Sequence, residues 1–400
     1  MAHMINDLAK FFTWDDINID NWNFKLFHKG NALFFFGGSL VGVMSQYFGE
    51  PINCDFKGLE GELASDYCWI HGSSFIKPEY QTHMKCIVDL EGIDSEDDAP
   101  DTSYYQWVTF MMLFQAGITL LPHKIWNLIE GGLIASFGSE GKASIMLYDH
   151  SKMEEESVVM EKVVQKFVNY FRAIFHHNNL YFFQFFCCEL LNYLILLFNF
   201  WATDLFLQGK FRYYGWNVLQ YYLMTKAERE NSINPFCQTF PTEVSCTVPN
   251  IGAAGGEQFH NGLCVLSQNI INEKVYLALW FWLVFVMILS IIYFLFRICT
   301  ICFDGLRVLL LRSRVYHRYD PEILVALDYV MAKSYIGDWF VLHQLGKNVN
   351  RFFYREFIKE LCKELKARPK RSLSLDKTLR KRKSTEDDKK VESSSLLNNA

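Results

Sequence analysis

Four stretches of this chain are long, apolar and almost free of charged side chains. The cleanest runs from Val275 to Phe296, and another, from Thr102 to His123, has no acidic or basic residue. Asn31 to Gly49 is also uncharged, and Asn178 to Thr203 carries Glu189 as its single charged residue. At about 1.5 Å of rise per residue, each stretch can cross a roughly 30 Å hydrocarbon layer as a helix. The pattern predicts four transmembrane helices.

Between these helices the polar positions divide the chain into loops and terminal segments. Residues 321–367 show helical periodicity, and we expect them to pack with residues 127–179 into a helical cytoplasmic dome. The last part of the chain is basic, then acidic, then Ser-rich, which is typical of a disordered tail that contacts anionic lipid. The predicted order is an N-terminal segment 1–30, span 31–49, loop 50–103, span 104–126, loop 127–179, span 180–203, loop 204–274, span 275–296, helical region 297–366 and tail 367–400.

Charge is distributed unevenly along the chain and predicts its orientation. Residues 297–400 hold 22 Lys/Arg against 13 Asp/Glu, whereas residues 50–103 hold 3 Lys against 13 Asp/Glu. Basic residues close to a membrane helix mark its cytoplasmic side. We therefore expect both termini in the cytoplasm, and loops 50–103 and 204–274 outside the cell. The first thirty residues contain several aspartates and no apolar run, so the first span is expected to insert as a signal anchor.

Cysteine placement agrees with that orientation. Each expected outer loop holds three cysteines, and an oxidising exterior favours disulfide bonds. Six cysteines allow 15 connectivities, and spacing alone does not choose among them. The six are Cys54, Cys68, Cys86, Cys237, Cys246 and Cys264. The fold class predicted from these patterns is an all-α membrane protein with four transmembrane helices, disulfide-linked extracellular loops and a helical cytoplasmic dome.

The start of the second span carries the most specific string of the sequence. It consists of Tyr104, Tyr105, Gln106, Trp107 and Val108, followed by Pro122 and Trp126. Tyr and Trp are also the residues expected where a helix enters the headgroup region. The string resembles the signature of the innexins, the gap-junction proteins of invertebrates. The contexts of four loop cysteines and the string Gly337-Asp338-Trp339-Phe340 also resemble that family, over residues 14–366.

The resemblance implies a channel. Innexin subunits form rings of about eight subunits around a wide pore, and a ring docks with an identical or related ring on the adjacent cell. The protein would then be a homo- or hetero-oligomer of the plasma membrane, at a gap junction, that passes ions and small metabolites. The family pattern ties the two outer loops together through Cys54, Cys68, Cys246 and Cys264. Cys86 and Cys237 depart from that pattern, and a third bridge between them is favoured over free thiols.

Several polar positions have a structural and a functional interpretation. By resemblance, the N-terminal segment and the first span line the pore, which places Asp15, Asp16 and Asp20 near its cytoplasmic mouth. Rings of carboxylates would favour cations, although these side chains could instead be solvated or paired. Glu189 and Asn192 in the third span either hydrogen-bond to neighbouring helices, which is favoured, or line the pore.

Other motifs predict little chemistry. Gly38-x-x-x-Gly42 indicates helix packing within a subunit, and one Cys299-x-x-Cys302 pair favours packing or acylation over metal binding. The acidic run 91–101 lacks the spacing of a calcium loop. We find no nucleophile–base pair, no phosphate-binding glycine loop and no nucleic-acid module, and we expect no enzyme activity, no cofactor and no metal site.

Three functions fit these observations. The first is a gap-junction channel, and the second is an undocked hemichannel of the same architecture, like the pannexins that resemble innexins. The third is a four-span adhesion or scaffold protein that does not conduct. Neither outer loop contains an Asn-x-Ser/Thr acceptor. Because a glycan there would obstruct docking, its absence favours the gap-junction channel.

Overall fold

The computed structural model describes residues 19–56, 61–72, 103–134, 136, 153–230, 232, 234–251, 255–315 and 321–367. Most of this part is helical. The α-helices are α1 Trp22–Lys25, α2 Ala32–Phe48, α3 Gly61–His71, α4 Val108–Glu130, α5 Met153–Ile174, α6 Asn179–Phe206, α7 Tyr214–Leu223, α8 Lys226–Glu230, α9 Pro235–Thr239, α10 Ser267–Cys302, α11 Asp304–Val315, α12 Glu322–Lys333, α13 Ile336–Asn348 and α14 Arg351–Ala367. The strands are β1 Asn53–Asp55, β2 Glu243–Ile251 and β3 Glu257–Val265.

Three of these helices are long and apolar enough to cross a membrane. Among the described residues they are α4, α6 and α10, judged by length and composition. The α-helix of the expected first span, α2, has 17 residues and continues without a break from α1 through a π-helical segment, Leu26–Asn31. The chain is therefore helical from Trp22 to Phe48. Its hydrogen-bond pattern changes within the segment that the sequence marks as the approach to a span.

The chain divides into two compact units. The described part of the first covers residues 20–131 and 184–298, and the second includes residues 132–183 and 299–367. The first unit contains a large apolar cluster to which α2, α4, α6 and α10 contribute. Because every one of these helices has an apolar face, the cluster can bury residues from all of them at once.

Within the first unit, α2 and α4 approach closely where α2 has small residues. A methyl group added at Gly38 would lie 2.8 Å from the Met112 sulfur, and one at Gly42 would lie 2.7 Å from the Thr109 hydroxyl. Ser39 donates a hydrogen bond to the Thr109 carbonyl at 3.1 Å. Small residues permit this approach. The interpretation of Gly38-x-x-x-Gly42 as packing within a subunit is confirmed.

A small antiparallel sheet joins the two loops of the first unit, in the order β1-β3-β2. β1 comes from the loop after α2, whereas β2 and β3 form a hairpin in the loop before α10. The all-α expectation is wrong at this point. Alternation of apolar and polar residues is short in β1 and β3, where disulfide-bonded cysteines occupy positions that face inward, so the signal for strands was weak.

The second unit contains a helical layer in its own right. Here α5 packs against α14 through two edge-to-face ring pairs, Phe167–Phe353 at 5.1 Å and Phe171–Phe357 at 5.9 Å. Burial raises the pKa of Tyr354, so its hydroxyl stays protonated and donates to the Leu342 carbonyl at 3.0 Å. Aromatic and aliphatic side chains both contribute to this core, and the buried aliphatic residues include Ile323, Leu327 and Val330.

A buried carboxylate fixes the turn before α6 to the start of α13 in the same unit. Asp338 accepts hydrogen bonds from the His176 backbone at 3.0 Å, the Asn178 amide at 2.7 Å and the Tyr335 backbone at 3.0 Å. Its side chain is fully buried. Gly337 lies so close that an added methyl group would stand 2.2 Å from the Asn178 carbonyl carbon. The Gly-Asp pair of the family string therefore has a packing role.

Candidate functional site

Two disulfide bonds connect the two loops of the first unit. Cys54 bonds to Cys264 and Cys68 to Cys246, with sequence separations of 210 and 178 residues. Cys54 and Cys264 face each other in the β1–β3 pair. All four sulfurs lie within a buried cluster under α3 and the sheet. The two bonds make one stapled loop domain from segments that are far apart in sequence.

The remaining cysteines divide into bonded and free ones. Cys237 is disulfide-bonded, while its expected partner, Cys86, lies outside the described residues. The thiols of Cys299 and Cys302 are both free, so this pair forms no disulfide. The other free cysteines are Cys187, Cys188 and Cys362.

The first half of the Tyr104–Val108 string connects α4 to the stapled loop domain. Tyr105 is fully buried, and its ring lies 4.9 Å from that of Trp69 on α3. The Tyr104 hydroxyl donates to the Thr239 carbonyl at 2.9 Å. These two tyrosines therefore hold the start of α4 against both loops.

The second half of the string divides between the loop domain, the surface and the helix core. The Gln106 amide donates to the Trp69 carbonyl, and Val108 is buried against the core of the helices. Trp107 is 62% exposed. Of the three aromatic side chains expected at the headgroups, only Trp107 is exposed, because the two tyrosines fill protein cores.

Pro122 lies inside α4 and does not end it. The helix continues to Glu130 and stops at Gly131, which has a left-handed backbone conformation with φ of 61°. Proline removes one backbone donor and is tolerated where neighbours compensate. Trp126, one turn further on, is fully buried with its ring 4.7 Å from Phe185.

Glu189 forms a buried ion pair. Both of its carboxylate oxygens accept from Arg297, at 2.6 and 2.8 Å, and the Asn21 amide donates to it at 2.7 Å. Arg297 also donates to the Tyr293 hydroxyl at 2.9 Å and is 4% exposed. A bidentate arginine is the partner that a buried carboxylate requires. This network supports the structural interpretation of Glu189.

Asn192 lies one turn from Glu189 and is 5% exposed. Its side-chain oxygen has no hydrogen-bond partner among the described residues. With Asn23, Ser290 and Tyr293 it lines a small cavity beside the ion pair. A polar cavity of this kind suits an ordered water molecule. The geometry thus encloses Asn192 within the subunit.

Of the three acidic pore candidates, the structure describes Asp20. Asp15 and Asp16 lie outside the described residues. Asp20 is 4% exposed, and its carboxylate lies 3.0 Å from Nδ1 of His123. Its charge is therefore enclosed by α4 and the π-helical segment rather than presented to water.

The sequence did not indicate the partners of Glu189 and Asp20, which are Arg297 and His123. Arg297 follows directly after the fourth expected span, where a basic residue indicates only orientation, but it is buried against Glu189, 108 residues away in sequence. The available sequence signal for this pair is that two charges of opposite sign lie within or next to the expected spans. Asp20 and His123 likewise belong to segments with no shared motif.

The family assignment follows from comparison with known proteins. The family model described as innexin matches residues 20–365. Innexin inx2 of Drosophila melanogaster is 34% identical over 356 residues, covering 88% of this chain and 92% of that protein. Innexin inx2 of Schistocerca americana is 33% identical over 358 residues, covering 88% and 95%. Innexin shaking-B of Drosophila melanogaster is 28% identical over 371 residues, covering 91% and 95%. The chain therefore belongs to the innexin family, the subunits of invertebrate gap-junction channels.

Proposed function

We propose that this innexin crosses the plasma membrane four times, with both termini in the cytoplasm and both stapled loops outside. Helices α4, α6 and α10 supply three spans, and the helix from Trp22 to Phe48 supplies the fourth. At about 1.5 Å per residue, that helix is long enough for a hydrocarbon layer of roughly 30 Å. The basic residues after α10 support a cytoplasmic C-terminus.

The exposed surface of α10 is apolar, which supports its burial in lipid or against other subunits. Five of its large exposed side chains recur every three or four residues and so share one face of the helix. These five are Phe281, Phe285, Ile288, Ile292 and Leu295. A contiguous apolar face of this length is unstable in water.

The observation that carries the proposal is the stapled loop domain in a chain of this family. Its two disulfides need an oxidising compartment, which favours the cell exterior. Held by both bonds, the loops present a preorganised surface, which lowers the entropy cost of docking with a second ring. A third bridge between Cys86 and Cys237 would extend the same staple.

We further propose a homo- or hetero-oligomeric ring of about eight subunits that docks with an identical or related ring on the neighbouring cell. The docked pair passes ions and small metabolites and belongs to gap junctions. Residues 127–179 and 297–366 would form the helical cytoplasmic dome. The undocked hemichannel and the non-conducting adhesion protein remain the alternatives.

We assign the cation selectivity of the pore to Asp15 and Asp16, because Asp20 is buried. A ring of carboxylates favours cations, but screening over about 8 Å at physiological salt weakens its field on the axis of a wide pore. We expect a mild cation preference. Reversal potentials of Asp15→Asn/Asp16→Asn channels in a salt gradient should shift toward anions, and an unchanged value would assign the selectivity to other residues.

Dye transfer between paired cells tests the function. Transfer only when both cells produce the chain would support docking. Dye uptake by single cells without transfer between pairs would favour the hemichannel. Cell adhesion without either would favour the scaffold.

A further inference from the structure

A cluster of three metal-ligating side chains lies in the first unit, apart from the stapled loops. Asp20, His28 and His123 each direct one ligand atom toward the others, and these three atoms all lie within 4.8 Å of one another. They come from the residue pair before α1, from the π-helical segment and from α4. The other described cluster of this type consists of disulfide-bonded cysteines and has no free thiolate to offer.

Two polar atoms of this cluster are buried without a hydrogen bond, and two others face each other. Asp20 Oδ1 and His28 Nε2 have no hydrogen-bond partner among the described residues, whereas Asp20 Oδ2 lies 3.0 Å from His123 Nδ1. The side chains of His28 and Asp20 are 0% and 2% exposed, and that of His123 is 15% exposed. A buried polar atom without a partner is costly, so a bound ion would remove a penalty that the protein otherwise carries.

The hydrogen bonds of the two histidines indicate their tautomers, and His28 already has the tautomer of a metal ligand. His28 Nδ1 lies 2.7 Å from the Phe24 carbonyl, which can only accept, so Nδ1 carries the proton and Nε2 keeps its lone pair. The Asn127 amide nitrogen lies 3.0 Å from His123 Nε2 and can only donate, so the proton of a neutral His123 is on Nδ1. A metal-bound histidine donates its other N–H to an acceptor, so an ion at His123 Nδ1 would displace this proton and require the Asn127 amide to turn its oxygen toward Nε2.

The backbone at His28 is also unusual. Leu26–Asn31 is a π-helix, and π-helical segments are rare and often mark functional sites. The segment brings His28 against His123, with stacked rings whose centroids are 4.0 Å apart. An ion with bonds of about 2.0–2.2 Å would require His28 Nε2, which lies 3.9 Å from the Asp20 carboxylate, to move closer. One of the two stacked rings would also have to turn, because an ion lies in the plane of each imidazole that binds it.

We propose that Asp20, His28 and His123 bind a divalent transition-metal ion, zinc being the best match. Two neutral imidazoles and one carboxylate suit zinc, and a water molecule completes a four-coordinate site. The ion would link the segment before α1 to α4. The site is independent of whether the channel docks. It departs from the expectation of no metal site, since Asp20 and His123 share no spacing motif.

Zinc content of the purified full-length protein is the primary test. After gel filtration in metal-free buffer, we expect zinc added to the wild type to remain at about one ion per subunit. His28→Gln and Asp20→Asn should lose it, whereas His177→Gln, at an exposed position, should retain it. Zinc absent from the wild type, or retained in His28→Gln, would overturn the proposal.

Two wild-type measurements keep the test decisive if a variant does not fold. Cobalt added in place of zinc should give the visible absorption of a four-coordinate site, and zinc should displace it. Zinc should also raise the midpoint of thermal unfolding in proportion to the logarithm of its concentration. An octahedral cobalt spectrum together with an unchanged midpoint would contradict the site.

Discussion

At the scale of single residues, Glu189 shows how a long apolar helix of this innexin accommodates a buried charge. Glu189 is enclosed in α6, and its cost is offset by two charge-assisted hydrogen bonds from Arg297. Removing one partner of such a pair leaves the other charge buried without compensation. We therefore expect both residues to matter for the stability of the subunit, although they lie 108 positions apart in the sequence.

Glu189→Gln should destabilise the subunit by about 3–5 kcal/mol, because it leaves the Arg297 guanidinium without a counter-charge. Thermal unfolding of the detergent-solubilised channel measures this. Arg312→Gln is the matched control, since Arg312 and Asp328 form an exposed pair worth about 0–1 kcal/mol. Equal midpoints for the two variants would show that Glu189 has no buried partner.

Gly337→Ala should also be strongly destabilising, by about 1–3 kcal/mol or more, because its methyl group would overlap the Asn178 backbone. Gly305→Ala is the control, since nothing lies within 4 Å of a methyl group there. Helix propensity makes that change neutral or favourable by up to about 1 kcal/mol. If both variants melt at the wild-type temperature, the turn does not pack on α13 as described.

At the scale of elements, the sequence predicted helices more reliably than their partners. Uncharged runs identified α4, α6 and α10, because exclusion from water imposes composition over a whole helix. The sequence pattern did not reveal the π-helical segment or the β-sheet. The sheet depends on pairing between residues far apart along the chain, such as Cys54 with Cys264.

The stapled loop domain gives the most direct prediction at this scale. Cys54→Ser should lower the stability of the loop domain by about 2–5 kcal/mol and abolish coupling between cells. Cys187→Ser removes a free thiol and should leave coupling unchanged. Normal coupling by Cys54→Ser at equal surface expression would show that the staple is not needed for docking.

Pro122 gives a prediction for α4. Pro122→Ala restores a backbone donor inside the helix and should straighten it near its end. We expect the voltage and pH dependence of coupling to change, since the residues after α4 lead into the second unit of the chain. Identical voltage and pH responses in paired-cell recordings would remove Pro122 from the gating mechanism.

At the scale of the whole molecule, the resemblance predicted the family and the structure supplied its physical basis. The string from Tyr104 to Val108 holds α4 to the loop domain, and Gly337 with Asp338 holds a turn to α13. In this chain the two strings make contacts that composition cannot reveal. Ring size and docking depend on other copies of the chain, so neither the sequence pattern nor one subunit determines them.

Junctional conductance between paired cells, recorded with both membrane potentials clamped, tests the central claim most directly. The account predicts conductance in pairs where both cells produce the chain and none where neither does. It also predicts loss of that conductance in Cys54→Ser pairs and its retention in Cys187→Ser pairs. Wild-type protein that reaches the contact between two cells and gives no junctional conductance would contradict it.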